Sequence, residues 1–158
     1  MSHTSQDIAL SDEELLAVAI AEAHRSLTTG GIPIGAALAA DGVLIGTGHN
    51  QRVQLASNTR HGETDCLENV GRLPASTYLR ATIATTLSPC DMCTGAILLF
   101  GIPRVVIGEN RTFVGGEELL KSRGVEVVVV DDAECRALME EFVANNPELW
   151  NEDIGVAN

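Results

Sequence analysis

The chain has 158 residues, 45% of them hydrophobic and 20% charged, and its 10 Lys and Arg against 22 Asp and Glu give a formal net charge of −12. This length and composition fit a single globular domain spanning residues 1–158 and exclude extensive disorder. The acidic balance disfavours a nucleic-acid partner, because proteins bind phosphate backbones chiefly through Lys and Arg.

The amino terminus and the cysteines indicate a compartment. Residues Met1–Asp7 lack the basic and apolar regions of a secretory signal, and no run approaches the ~18 apolar residues of a membrane span. Four cysteines are too few for a disulfide scaffold at this length, and a reducing cytosol would keep them as thiols or metal ligands. We therefore expect a cytoplasmic protein with no membrane partner.

A long amphipathic helix comes first among the predicted elements. The stretch Ser11–Glu14 has the pattern of a capping box, and apolar residues recur at helical spacing over 15–27. Gly30 and Gly31 then end the helix.

The following elements alternate between strands and helices. Two apolar runs joined by Asp41 and Gly42, a dipeptide suited to a tight turn, predict an antiparallel hairpin. Helix-bearing connections between later strands predict parallel pairing, and the run Val125–Val130 suits a strand covered on both faces. In chain order we expect strands at 34–39 and 43–48, a loop at 50–60, a helix at 61–71, a strand at 78–85, a helix at 89–100, a strand at 104–108, a helix at 117–122, a strand at 125–130 and a helix at 132–144. The predicted fold class is α/β, with one mixed sheet between helical layers.

Two short motifs carry the chemistry. His61-Gly62-Glu63 is followed by Pro89-Cys90-Asp91-Met92-Cys93, and together they match the His-x-Glu and Pro-Cys-x-x-Cys signature of zinc deaminases. His61, Cys90 and Cys93 would hold one Zn²⁺ per chain. Three protein ligands leave the fourth tetrahedral position to water, as in catalytic zinc sites, whereas structural sites close with four.

The spacing of these residues has a geometric consequence. Cys90 and Cys93 at the opening of a helix lie on one face, where the helix N-terminus favours the thiolates that bind metal. His61 and Glu63 are two residues apart and would point to different sides of a regular helix. We therefore expect His61 to lie at or before the first turn of its helix.

Glu63 is the predicted catalytic residue. Zinc lowers the pKa of bound water from ~15.7 to about 7, and Glu63 would carry the released proton to a ring nitrogen and then to the departing amine. The predicted reaction is a hydrolytic deamination that releases ammonia.

Simpler interpretations exist for single residues. A lone Cys-x-x-Cys could be a redox pair or half of a structural zinc site, but neither explains His61 and Glu63. The other two thiols, Cys66 and Cys135, are interpreted as core residues. His24 and His49 are interpreted as structural because nothing with ligand spacing surrounds them.

Most of the chain beyond residue 30 resembles the small zinc-dependent cytosine deaminases of the fungal type, within the cytidine deaminase-like superfamily. The resemblance covers 30–35, 48–50, 61–63, 67–69, 71–73, 85–97, 101–104, 108–110, 127–132, Trp150 and 152–155, and most of these segments contain no zinc ligand. It implies a three-layer α/β/α domain with a mixed five-stranded sheet and a homodimer. It also implies a small-molecule nucleobase as partner, with conversion of cytosine to uracil in pyrimidine salvage.

The same resemblance implies roles for residues around the metal. Asn50 and the backbone of Gly62 would hold the pyrimidine carbonyl, Glu63 would contact the ring nitrogen, and Asp153 would accept a ring N–H. Three further residues match positions that close over the base, which would make the C-terminal segment a lid: Phe113, Trp150 and Ile154.

The residues of the C-terminal segment also allow an interpretation that does not depend on the resemblance. Trp150 is the only tryptophan and lies in an acidic stretch, so its indole is expected to pack on something. Either it covers the base or it anchors the last helix to the core.

Departures from the fungal pattern leave the identity of the substrate undetermined. Asn151 stands where that pattern has an aromatic residue, Arg60 where it has an aliphatic one, and Thr64-Asp65-Cys66 replaces a small uncharged stretch. Arg60 could pair with Asp65, bind a polar substituent or lie in solvent. Alternatives to cytosine are therefore isocytosine, creatinine, guanine or, with less support from charge and aromatic content, a base in a nucleic acid.

Overall fold

The computed structural model describes residues 8–158, so the expectation about Met1–Asp7 lies outside the described residues. Strands and helices alternate along this part of the chain. The helices are α1 Asp12–Thr28, α2 Gly62–Val70, α3 Ala75–Tyr78, α4 Asp91–Phe100, α5 Glu117–Ser122, α6 Ala133–Asn145 and α7 Pro147–Asp153. The strands are β1 Gly35–Ala40, β2 Val43–His49, β3 Ala81–Leu87, β4 Arg104–Glu109 and β5 Glu126–Val129. Along residues 8–158, no helix combines the length and the apolar character needed to cross a membrane.

The five strands form one mixed sheet in the order β2-β1-β3-β4-β5. β1 runs antiparallel to both β2 and β3, whereas β3, β4 and β5 run parallel. The hairpin turn between β1 and β2 has φ of 53° at Asp41 and 77° at Gly42, the positive values that a tight hairpin turn requires. The mixed sheet and its hairpin are confirmed.

Helices cover both faces of the sheet, because side chains alternate along each strand. On β1, Ala36 and Leu38 pack with Cys66 of α2, Ile97 of α4 and Leu120 of α5. Ala37 and Ala39 face the opposite way, where they pack with residues of α1 and with Cys135 of α6. The three-layer α/β/α architecture is confirmed, and Cys66 and Cys135 are core residues as expected.

Two glycines let helices from opposite layers reach the beginning of β1. A Cβ placed on Gly35 would lie 2.0 Å from the Ala19 backbone oxygen of α1. A Cβ placed on Gly62, the first residue of α2, would lie 3.3 Å from backbone atoms of Ile34 and Gly35. The start of α2, and with it His61, is therefore held directly against the sheet.

Three local expectations were wrong or incomplete. Tyr78 ends the short helix α3 instead of opening a strand, and β3 begins at Ala81. The valine run is not covered on both faces, since every residue of β5 is half-buried or exposed, with Val129 36% exposed. In addition, β5 pairs only with β4 and forms an edge of the sheet. Helix α7 was not predicted, although Pro147 at its first position is a helix-start residue.

Candidate metal centre and active site

The site lies at the carboxyl ends of β3 and β4, where the neighbouring β1 runs in the opposite direction. Ligand sites in open α/β sheets form at such edges. Beyond Leu87 the chain passes Ser88, whose backbone N–H donates to the Glu109 carbonyl oxygen at 3.1 Å, and reaches Cys90 at the start of α4.

The three predicted metal ligands meet at two helix starts. His61 is the N-cap residue of α2, which confirms the expectation that it precedes the first turn, and Cys90 is the N-cap residue of α4. His61 Nδ1 lies 3.3 Å from Cys90 Sγ and 3.8 Å from Cys93 Sγ. All three ligand atoms lie within 4.8 Å of one another, and within residues 8–158 no fourth His, Cys, Asp or Glu joins the group.

These distances fit zinc. A tetrahedral ion with Zn–S bonds of ~2.3 Å and a Zn–N bond of ~2.0 Å separates an imidazole nitrogen from a thiolate sulfur by about 3.5 Å. Two thiolates and one imidazole also form a donor set that Zn²⁺ favours over harder cations. His61, Cys90 and Cys93 are thus positioned to bind one metal ion.

The electrostatics of the group favour a cation. The hydrogen bond from Cys93 lowers the pKa of the Cys90 thiol to about 4, with His61 contributing and burial opposing. Burial lowers the pKa of His61, but its hydrogen bond with Cys90 and the charges of Asp153 and Glu63 outweigh burial and raise that pKa to about 9. The same negative surroundings that hold a proton on His61 would attract a metal ion.

Asp153 contacts the other side of the His61 ring. Its Oδ1 lies 3.3 Å from His61 Nε2, so the two ring nitrogens face a carboxylate and a pair of sulfurs. Histidines that bind metal generally donate their second N–H to a carboxylate or carbonyl, which fixes the ring. Sequence reasoning missed this contact, since only the resemblance pointed to Asp153 and no spacing links it to His61.

Glu63 is buried beside the metal ligands. Burial, reinforced by the charge of Cys90, raises the pKa of its carboxyl group, so this group is suited to holding a proton. Thr85 Oγ1 lies 3.2 Å from Glu63 Oε1 and 2.9 Å from the Leu87 carbonyl oxygen. Thr85 is a second residue that sequence reasoning missed, because its only signal is the side-chain alternation of β3.

The remaining predicted residues surround the same centre. An outer cavity of about 450 Å³ opens toward His61 and Cys90, and a narrow inner cleft continues to Glu63. Phe113 and Trp150 meet edge to face over this cleft, with ring centroids 5.7 Å apart. Asn50 is fully buried and donates from Nδ2 to Asp153 Oδ1 at 3.0 Å. The structure thus brings together every predicted site residue: Asn50, His61, Gly62, Glu63, Cys90, Cys93, Phe113, Trp150, Asp153 and Ile154.

Comparison with known proteins identifies this arrangement. The sequence profile described as "Cytidine and deoxycytidylate deaminase zinc-binding region" matches residues 10–109, which include all three ligands. The chain belongs to this deaminase family. It is a zinc-dependent deaminase, a hydrolase.

Individual relatives agree with this assignment. The cytosine deaminase of Candida albicans is 54% identical over 145 residues, covering 91% of this chain and 97% of that protein. A tRNA-specific adenosine deaminase of Bacillus subtilis is 35% identical over 98 residues, covering 61% of each protein. A solved guanine deaminase from Nitrosomonas europaea shares the fold, with a TM-score of 0.67 at 22% identity, covering 87% of this chain and 86% of that one.

Two departures from the fungal pattern, Arg60 and Asn151, do not line the cleft of this deaminase. Arg60 Nη1 pairs with Asp65 Oδ1 at 2.8 Å, and the fully buried Asp65 also accepts from the His49 backbone and from Gln51. Asn151 Nδ2 donates to Asn158 Oδ1 at 3.0 Å. Of the three environments considered for Arg60, pairing with Asp65 is the one observed.

His24 and His49, the two other histidines in the described part of the chain, also have carboxylate partners. His24 Nε2 lies 2.7 Å from Glu134 Oε1, and His49 Nδ1 lies 2.7 Å from Glu22 Oε2. Both rings therefore tie helix α1 to a neighbouring segment, in agreement with a structural role.

Proposed function

We propose that this deaminase converts the free base cytosine to uracil and ammonia, as a single cytoplasmic domain acting in pyrimidine salvage. The similarity to the Candida albicans cytosine deaminase carries this proposal, because it covers 91% of the chain. A match of 145 residues in a chain of 158 must extend past residue 109, where the family profile ends, through the segment that contains Phe113. The 98-residue match to the tRNA deaminase need not include that segment.

In the proposed reaction, water adds to the ring carbon that bears the amino group, and ammonia leaves. Zinc held by His61, Cys90 and Cys93 would supply a Lewis acid that lowers the pKa of water to about 7. Glu63 accepts the proton that water loses, places it on the adjacent ring nitrogen, and passes a proton to the departing amine. The raised pKa of Glu63 supports this role, because a carboxyl group that both accepts and returns protons works best near neutral pH.

The base would be oriented by polar groups at the edge of the sheet. Asn50 Nδ2 carries two protons and gives one to Asp153, so the other can reach the ring carbonyl. The Gly62 backbone N–H lies in the first turn of α2, where amides have no partner within the helix. Asp153 accepts a ring N–H, while Phe113, Trp150 and Ile154 exclude water from the flat ring.

The charge of the outer cavity supports a free base over a base in RNA. Its lining has the carboxylates Asp91, Glu152 and Asp153 against one arginine, Arg52. A phosphodiester backbone would be repelled there, since such backbones are bound through cationic groups.

An ammonia-release assay across a substrate panel tests the proposed function. The panel contains cytosine, isocytosine, creatinine, guanine, cytidine and an adenosine-bearing tRNA stem-loop. We expect kcat/KM for cytosine to exceed every other value by about 100-fold, because buried polar groups left unpaired by the wrong substrate discriminate strongly. Faster turnover of cytidine, a purine or the stem-loop would refute the assignment to cytosine.

We also propose that the chain forms a homodimer through an apolar groove next to α3. The groove, about 480 Å³, lies beside the stacked rings of Tyr78 and Phe100. Leu79 and Leu99, at and near its border, are 61% and 79% exposed. Glu68 and Arg72 line the same groove, so a two-fold related copy would present opposite charges to each of them.

Sedimentation analysis of a charged variant tests this dimer. We expect Leu99→Asp to shift the protein from dimer to monomer at micromolar concentration, because a buried unpaired carboxylate opposes association. Leu27→Asp on α1, in the opposite helical layer and also exposed, is the matched control and should remain dimeric. A monomeric parent protein, or a dimer unaffected by Leu99→Asp, contradicts the proposal.

A further inference from the structure

Arg52 lies between the loop that follows β2 and helix α7. Its side chain is only 12% exposed, although an arginine is almost never buried without partners. The guanidinium is directed at two carboxylates of α7, with Nη1 3.8 Å from Asp153 Oδ1 and Nη2 3.9 Å from Glu152 Oε1. Nη2 also lies 3.5 Å from Asn58 Oδ1 on the same loop.

The negative charge of α7 indicates what Arg52 does: it neutralises carboxylates of this helix. The helix carries Glu148, Glu152 and Asp153 and no basic residue. In residues 8–158, Arg52 is the only arginine or lysine within 4.0 Å of a carboxylate of α7. Docking Asp153 next to the Cys90 thiolate brings like charges together, and a neighbouring cation offsets that repulsion.

Arg52 also acts on Asn50 through its backbone. The Arg52 N–H donates to Asn50 Oδ1 at 3.1 Å, which leaves Asn50 Nδ2 to face Asp153 Oδ1 at 3.0 Å. The three residues thus form a closed set of contacts between two segments that are distant in sequence. One residue constrains both polar groups proposed to orient the base.

The Arg52 guanidinium lies farther from both carboxylates than a hydrogen bond would place it. Distances of 3.8 and 3.9 Å are ion-pair distances but exceed hydrogen-bond lengths, and Arg52 Nε is buried without a hydrogen-bond partner. A shift of α7 by about 1 Å toward the loop would convert these contacts into charge-assisted hydrogen bonds of ~2.8 Å. A closer approach of α7 would therefore strengthen its contacts with Arg52.

We propose that Arg52 is a positioning residue that latches α7 over the cleft and fixes the orientation of Asp153 and Asn50. The proposal rests on the proposed function for the roles of Asn50 and Asp153. An anion-binding role for Arg52 is disfavoured, because its guanidinium already faces the carboxylates of Glu152 and Asp153. Its effect is on how firmly α7 closes over a bound base, and not on the proton transfers at Glu63.

Trp150 provides a readout that does not depend on activity. It is the single tryptophan, lies on α7 and is 6% exposed. In the zinc-loaded protein, Arg52→Gln is expected to shift the Trp150 emission to longer wavelength and to increase its quenching by acrylamide. Arg52→Lys, which keeps the charge but has no planar fork, should fall between the variant and the parent protein.

Steady-state kinetics provide the second readout. We expect Arg52→Gln to raise KM for cytosine about tenfold with a much smaller change in kcat, because binding is weakened while the reacting groups stay in place. Arg136→Gln is the matched control: it removes the same charge from a half-buried arginine that pairs with the exposed Glu140 on α6, and it should leave both readouts unchanged.

The outcomes separate the latch from the proposed function. Parent-like Trp150 quenching and parent-like KM in Arg52→Gln would overturn the latch, as would a loss confined to kcat. If Arg52→Gln does not fold, Arg52→Lys decides: intermediate Trp150 quenching with a raised KM supports the latch, and parent-like values of both overturn it. If the parent protein does not deaminate cytosine, the proposed function fails, while Trp150 quenching still tests the latch.

Discussion

The Glu63→Gln variant is expected to retain about one zinc ion per chain and to lose about 10³-fold in kcat, within the range for removal of a general acid–base group. Glutamine has the shape of glutamate and can still accept a hydrogen bond from Thr85, but it cannot accept and return a proton. Because Glu63 is buried and its pKa is raised, the neutral amide should not destabilise the fold.

Zinc content measured by elemental analysis and ammonia release measured in the same sample check this expectation. Glu141→Gln, an exposed position on α6, is the control for loss of one negative charge and should keep parent activity. Near-parent rates in a zinc-loaded Glu63→Gln protein would exclude Glu63 as the proton carrier.

The Cys93→Ala variant is expected to lose its zinc and to lose activity by more than about 10³-fold, because the remaining His61 and Cys90 give an incomplete site. The fold should survive. The core on the α1 side of the sheet contains none of the ligands, and the core on the other face is built from α2, α4 and α5 side chains other than Cys93. A structural zinc site would behave differently, since loss of its metal unfolds the domain.

Circular dichroism and metal analysis of the same variant distinguish these cases. Cys135→Ala, which removes a buried thiol from the α1 side of the sheet, is the matched control and should keep both zinc and activity. A Cys93→Ala protein that unfolds, or one that still holds zinc and remains active, would contradict a catalytic metal centre.

The sequence was most informative where chemistry depends on local geometry. A ligand at a helix start must have a fixed relation to the residues just after it, so the spacings of His61 with Glu63 and of Cys90 with Cys93 were sufficient to place both motifs at helix starts. The exact boundary was not predictable in the same way: the helix expected from residue 89 begins at Asp91, with Cys90 as its N-cap. The hairpin at Asp41 and Gly42 was predictable for the same reason, because it depends on two consecutive residues.

The sequence was least informative where contacts join distant segments. The positions of Asp153 beside His61 and of Thr85 beside Glu63 depend on how α7 and β3 pack, and no local pattern records this. The valine run of β5 has the composition of an interior strand but lies at an edge, because strand order depends on the connections around it. In the sequence, nothing distinguishes Arg52 from another loop arginine, because its contact with α7 exists only in the folded chain.

The two tight glycines at the beginning of β1 restrict how this scaffold can acquire new substrates. A side chain at Gly35 would overlap the backbone of α1, and one at Gly62 would crowd the backbone of Ile34 and Gly35 and shift the start of α2, next to His61. Redesign of the pocket should therefore use the loop after β2 and the C-terminal helix but leave Asn50, Arg52 and Asp153 unchanged, because these three residues contact one another and Asp153 contacts the metal ligand His61. A directed-evolution library confined to the other positions of those two segments should yield altered specificity with little loss of folded protein.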